Sequence, residues 1–149
     1  MKVGIVGAGA DKFTKSSEIK ANEAIYQIFQ KFGKDMVLIS GHSPVKGVDI
    51  WSEIIADSLV IPMELKIPKQ NKWDAEYGFK QRNLDIARDS DVLYVILVDK
   101  YPSNYKDRRF EKCYHCNSTD HVKSGACWTA KQAEKMGKKV VRIVIPQGD

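Results

Sequence analysis

The feature that most constrains this chain is Val92-Leu93-Tyr94-Val95-Ile96-Leu97-Val98, seven apolar or aromatic residues with no polar interruption. A run of that length reads as a strand, and since neither of its faces is polar, both must be covered. That is the condition of a central strand in a parallel sheet packed between two helix layers. The rest of the chain alternates accordingly. Residues 1–9 read as a strand ending in the turn Gly7-Ala8-Gly9, and residues 36–39, 59–63 and 139–145 as further strands. Residues 17–31 carry Ala21, Ile25, Ile28, Phe29 and Phe32 at helical spacing, with Ser16 or Ser17 to cap the start and Gly33 to stop it. Gly47-Val48-Asp49 opens a second helix whose apolar side holds Val48, Trp51, Ile54 and Ile55. Residues 77–88 and 128–136 read as two more, the last ended by Gly137. The expected fold is α/β, a three-layer Rossmann-like arrangement around a mainly parallel five-stranded sheet.

With 149 residues the chain is expected to form one binding domain over 1–149, since a domain usually takes roughly 100–200. A formal net charge of +5 suits an anionic ligand such as a phosphate, and no long basic run marks a nucleic-acid tail. No apolar stretch reaches the ~18 residues of a membrane span, and no signal-type segment opens the chain, so a cytoplasmic protein without a membrane partner is expected. Apolar helix faces leave room for a homo-oligomer.

Residues 100–123 interrupt a strand-to-helix connection that normally takes about 2–6 residues, so this insertion needs either a function or a staple. Its end holds Cys113-Tyr114-His115-Cys116, then His121, then Cys127, a C-x2-C-x4-H-x5-C pattern. Soft thiolates plus imidazole suit tetrahedral zinc, and four protein ligands make that role structural. Cys113, Cys116, His121 and Cys127 are the expected ligands, with His115 as the alternative to His121. The spacing resembles a zinc knuckle with one extra residue before the last cysteine. A nucleic-acid-binding module built on that knuckle and on Lys100, Lys106, Arg108, Arg109 and Lys112 ranks third, because Asp99, Asp107 and Glu111 dilute the charge.

Ligands of parallel sheets bind at the carboxyl ends of the strands. Three small-residue turns fall there: Gly7-Ala8-Gly9, Ser40-Gly41-His42-Ser43 and Ser124-Gly125-Ala126. Lys12 stands where the third glycine of G-x-G-x-x-G would be, which disfavours the dinucleotide fingerprint. Together, Ser40-Gly41-His42-Ser43 through Gly47-Val48-Asp49, then Arg82-Asn83, then Ser124 to Thr129 before a helix resemble the signatures of the SLOG (DprA/LOG-like) superfamily, in its small one-domain branch. The resemblance implies a Rossmann-like domain that binds a nucleotide or nucleotide-derived ligand through Gly7, Gly9, Ser40, Gly41, Gly47, Asp49, Arg82, Asn83, Ser124, Gly125 and Thr129.

The phosphoribohydrolase branch of that superfamily carries P-G-G-x-G-T-x-x-E, and Gln132 stands here at the acidic position. Glutamine cannot serve as nucleophile or general base, so binding is expected rather than catalysis. The alternative is an N-glycosidic bond hydrolase or transferase acting on nucleosides or nucleotides, with Glu53 or Asp49 as its carboxylate. The plainer reading of Glu53 is a solvent-facing helix residue.

Overall fold

The computed structural model describes residues 1–74, 76 and 78–148. Its strands are β1 (Lys2–Gly7), β2 (Val37–Ser40), β3 (Met63–Leu65), β4 (Val92–Val98) and β5 (Lys139–Ile145). They form one all-parallel sheet in the order β3-β2-β1-β4-β5. The helices are α1 (Lys15–Phe32), α2 (Val48–Ser58), α3 (Phe79–Asp89) and α4 (Ala126–Lys135).

Strand β4 explains the seven-residue run. Val92, Tyr94, Ile96 and Val98 point into the core shared with α1 and α2, whereas Leu93, Val95 and Leu97 point into the core shared with α3 and α4. Alternation of period two on a strand buried on both faces needs an apolar residue at every position. Each fully buried side chain there stabilises the fold by about 1.5–3 kcal/mol relative to exposure.

Several boundaries differ from the sequence expectation. Helix α1 starts at Lys15, with Thr14 rather than a serine as its cap; Ser17 sits three residues on and completes a reciprocal capping box. In α2 the expected apolar stripe is only partly buried. Ile54 is 61% exposed, while Asp49, Ser52 and Glu53 are buried. The helix starts at the carboxyl edge of the sheet, where Asp49 and Glu53 bond to the Ser40–Ser43 turn, while Val48 and Ala56 pack in the core. Strand β3 begins at Met63 rather than at Leu59, because α2 runs on to Ser58 and Leu59–Ile61 make the turn back. The expected third helix starts at Phe79; Tyr77, its expected first residue, lies outside the described residues. Helix α4 begins two residues early, which puts Cys127 in its first turn.

The turn after α2 is closed by Ile61 N–H donating to Ala56 O at 2.8 Å and Val60 N–H to Asp57 O at 3.1 Å, with Val60 in the left-handed region at φ 57. A β-branched residue is strained there by roughly 1–2 kcal/mol, and Val60 is 90% exposed, so its side chain returns nothing in packing. Val60→Asn is expected to raise stability by about 1 kcal/mol in urea unfolding. An unchanged or lower midpoint would show the turn to be relaxed.

Candidate functional site

The chain builds β1, β2 and β3 in one direction and then crosses to β4 and β5, so the connections at the β1/β4 boundary leave on opposite sides of the sheet. The crevice of such a switch point is where open parallel sheets hold ligands. A cleft of about 260 Å³ opens there. Gly7 and Gly9 line it after β1, Asp49 from α2, Arg82 and Asn83 from α3, and Ser124, Gly125 and Thr129 from the start of α4. Eight of the eleven residues named from the sequence therefore share one cavity.

Ser40, Gly41 and Gly47 do not line it and act from beneath. Ser40 Oγ donates to Glu53 Oε2 at 2.7 Å. Gly41 O accepts from Arg82 Nη1 at 2.7 Å, and a Cβ on Gly41 would lie 2.9 Å from that nitrogen. Gly47, at φ 82, presses against the backbone of residues 8–10, where any Cβ would meet Ala8 O and Ala10 N at 2.6 Å. The glycines after β2 thus back the cleft without lining it. Glu53 is buried, not solvent-facing, and is held outside the lining by Ser40 and by His42 Nδ1 at 2.6 Å. Gln132, too, lies outside the lining.

Three charged groups dominate the cleft. The Arg82 guanidinium is buried, donates from Nε to Asn83 Oδ1 at 2.7 Å and lies 5.2 Å from the Phe79 ring centroid. Burial draws its pKa down, and Asp49 opposes the shift. Burial pushes the Asp49 carboxyl up to about 6, against the pull of Arg82 and of the Ser43 N–H, which donates to Oδ2 at 3.2 Å. Lys12 is the third. Burial lowers its pKa, Asp11 resists, and the Lys123 ammonium adds to the lowering. Helix α4 opens on the same cleft through Ser124, Gly125 and Ala126, and Ser124 Oγ accepts from the Ala126 N–H at 3.3 Å. The sequence reading missed Lys12, Phe79 and Trp73 as lining residues. For Lys12 the signal was present: a cation three residues beyond a glycine turn.

The insertion brings the four expected metal ligands together. One donor atom each from Cys113, Cys116, His121 and Cys127 lies within 4.8 Å of the others. Cys127 Sγ and His121 Nε2 are 3.5 Å apart. A tetrahedral cation with zinc's bond lengths separates sulfur and nitrogen ligands by roughly 3.6 Å, so that edge has the right length. His121 Nδ1 meets Asp120 Oδ1 at 2.6 Å, which directs Nε2 at the cluster, and Ser118 Oγ in turn donates to Asp120. His115 is outside the cluster and packs on Tyr114 instead, at 4.4 Å between centroids.

The turn that carries the first two cysteines is closed just beyond Cys116, by Asn117 at φ 52, a position asparagine tolerates, and by the antiparallel bridge Cys113↔Ser118. Burial resists ionisation of Cys113, but the N–H groups of Cys116 and Ser124 and the His121 ring outweigh it and bring the thiol to about 7. Burial and the neighbouring Cys113 and Cys116 push Cys127 well up. Three converging thiols cannot all ionise unless a cation shares them, and a divalent ion inverts that balance. The Cys3His cluster is thus fit to hold a metal ion.

Of the cations that a nucleic-acid reading would use, Arg109 donates to the carbonyls of Pro102 and Ser103, Arg108 lies over Phe110, and Lys112 donates to Asn117. They serve the insertion's own fold.

No family model and no curated protein matches this sequence. Among solved structures the chain is similar to the molybdenum cofactor carrier protein from Chlamydomonas reinhardtii, with a TM-score of 0.60 and 17% identity over 95% of this chain and 74% of that one. What this likeness shows is a shared Rossmann-like fold.

Proposed function

We propose that this protein binds a phosphate-bearing nucleotide or nucleotide-derived small molecule in the cleft, in the manner the SLOG resemblance implies, and that Cys113, Cys116, His121 and Cys127 hold one structural zinc. In this reading residues 1–149 are one cytoplasmic binding domain, and the insertion at 100–123 is stapled beside its pocket. Reduced cysteines used as metal ligands accord with that compartment.

The observation that carries the reading is the convergence of the half-buried Lys12, the buried Arg82 and the start of α4 on one switch-point cleft. Cations buried at a helix N-terminus are costly in an apo cleft and become favourable when an anion enters. That the fold neighbour is by name a cofactor carrier supports binding rather than turnover.

Titration calorimetry with AMP, GMP, CMP and UMP tests this. At least one is expected to bind, and Lys12→Ala is expected to weaken it by tenfold or more, the worth of a charge-assisted hydrogen bond. Absence of binding by all four would overturn the reading.

A second reading, N-glycosidic bond cleavage, has one observation in its favour: Asp49 lines the cleft with a carboxyl held near 6, in the range of a working acid or base. The carboxylate would then be Asp49, not Glu53. Sustained release of free base from a nucleoside monophosphate, abolished by Asp49→Asn, would replace binding with catalysis.

A further inference from the structure

We propose that the pocket between the cysteine turn and α4 is a stacking subsite for the base of a nucleoside phosphate whose phosphate lies in the main cleft. The inference rests on the binding reading above and adds to it where the planar part of the ligand goes.

This side pocket measures about 370 Å³ and is lined by Trp73, Tyr114, His115, Lys123, Gly125 and Trp128. Trp73 and Gly125 also line the main cleft, so the two spaces share a wall. Size argues for joint use. The main cleft, at about 260 Å³, falls short of the roughly 300–1,000 Å³ of small-molecule pockets, and the joined space falls within it.

The chemistry of the lining points to a flat, π-faced group. Trp73 and Trp128 meet edge to face at 4.8 Å and 80°, which makes an L-shaped wall of two indoles. Tyr114 and His115 face the same pocket from the cysteine turn, and Lys123 Nζ stands 5.4 Å from the Tyr114 centroid. Trp73 is 56% exposed and Tyr114 54%. Single exposed aromatics are ordinary, but these two converge with Trp128 and His115 on one cavity. Base–aromatic stacking tolerates any base, because every base has a π-face. A phosphorylated sugar alone would leave these rings unused.

The assignment also gives the insertion a task. Tyr114 and His115 occupy the tight turn between Cys113 and Cys116, whose backbone is pinned by the Cys113↔Ser118 bridge. The turn therefore presents two rings on a rigid support to a pocket whose other aromatic residues are Trp73 and Trp128.

The test compares the four mononucleotides with inorganic pyrophosphate, which has the anion but no ring, by titration calorimetry on wild type, Tyr114→Ala and Tyr114→Phe. Wild type is expected to bind at least one mononucleotide ten times or more tighter than pyrophosphate. Tyr114→Ala should lose about 5- to 100-fold of mononucleotide affinity with pyrophosphate affinity unchanged, and Tyr114→Phe should retain both. Zinc content equal to wild type shows that the turn is intact, and quenching of tryptophan fluorescence by the mononucleotide but not by pyrophosphate reports stacking on Trp73 and Trp128. Pyrophosphate binding without a mononucleotide preference overturns the subsite alone, as does a Tyr114→Ala loss that is equal for both ligands or absent. Binding of neither ligand overturns the cleft reading as well.

Discussion

Replacing Cys127 by serine is expected to abolish stoichiometric zinc and to lower the unfolding midpoint by roughly 8–16 °C, about 4 kcal/mol for a chain of this size. The size follows from what else holds the insertion. Among the described residues, 100–123 contain no helix and no strand, only the bridge between Cys113 and Ser118. They attach to the body where Val122 N–H donates to Val98 O at 2.9 Å and Lys100 O accepts from Gln147, and where Tyr101 and Val122 pack on one core and Cys113 and Cys116 on the other. A long polar loop without helix or strand of its own is held best by a cross-link, and Cys127 ties it to the first turn of α4. His121→Ala should lose metal in the same way, whereas His115→Ala should keep it. Asp120→Asn should weaken metal affinity by about 10- to 100-fold, because the carboxylate sets the orientation of the His121 ring. Elemental analysis and thermal unfolding, with and without chelator, measure all four. Wild type purified without metal, or a Cys127→Ser variant that melts like wild type, would refute the assignment.

Because the same helix start lines the cleft, the effect reaches the site proposed for the nucleotide. Gly125 and Ala126 precede Cys127 directly, so losing the ligand frees the part of α4 that lines the cleft. Chelation is therefore expected to weaken nucleotide binding as well as stability.

How far the sequence carried depended on whether a signal was local. Strand β4 and the cysteine cluster were legible because each is written in consecutive or closely spaced residues: an apolar run, and ligand types at fixed intervals. Helix α4 was legible as an element, but its first turn was not, since Ser124 to Cys127 serve cap, cleft and cluster at once. Strand β3 was misplaced because Leu59, Val60 and Ile61 have strand composition, yet helix α2 and its reversal claim them. The long-range pairs were invisible. Nothing near Gly41 announces that Arg82 will donate to its carbonyl, and nothing near Glu53 announces that Ser40 and His42 will enclose it. Lys12 was read only as a missing glycine, because a motif template registers what a position lacks rather than what its side chain offers. The eight lining residues were reached through family resemblance and through the rule that parallel sheets bind at their carboxyl ends. The aromatic wall of Trp73 and Trp128 joins a loop to a helix 55 positions away, and no periodicity encodes that.

Asp49 should make stability fall as pH rises from about 4 to 6, opposite to the usual carboxylate behaviour. Its folded pKa is about 6 against an ordinary value of 3.8, so across that interval the folded chain holds a proton that the unfolded chain has released. Folding is favoured most, on this account, below the lower value; the advantage declines as pH climbs and is fully lost above the upper one. At pH 7 the ionised, buried carboxylate costs about 3 kcal/mol relative to a neutral group, and roughly half of that is recovered by pH 5. Arg82, His42 and the Ser43 N–H favour the charge, but burial and Glu53 oppose it more strongly. Other groups shift the other way: Asp89, Asp120 and Glu134 have lowered values and weaken the fold as acid is added. The contribution of Asp49 is therefore read as a difference. Asp49→Asn, which keeps the shape and removes the charge, is expected to be more stable than wild type at pH 7.5, and the gap should narrow steadily toward pH 5. Urea unfolding at half-unit pH steps measures it. Parallel curves for the two proteins would mean that Asp49 titrates alike in the folded and unfolded chains, and that the cleft tolerates its charge without a bound partner.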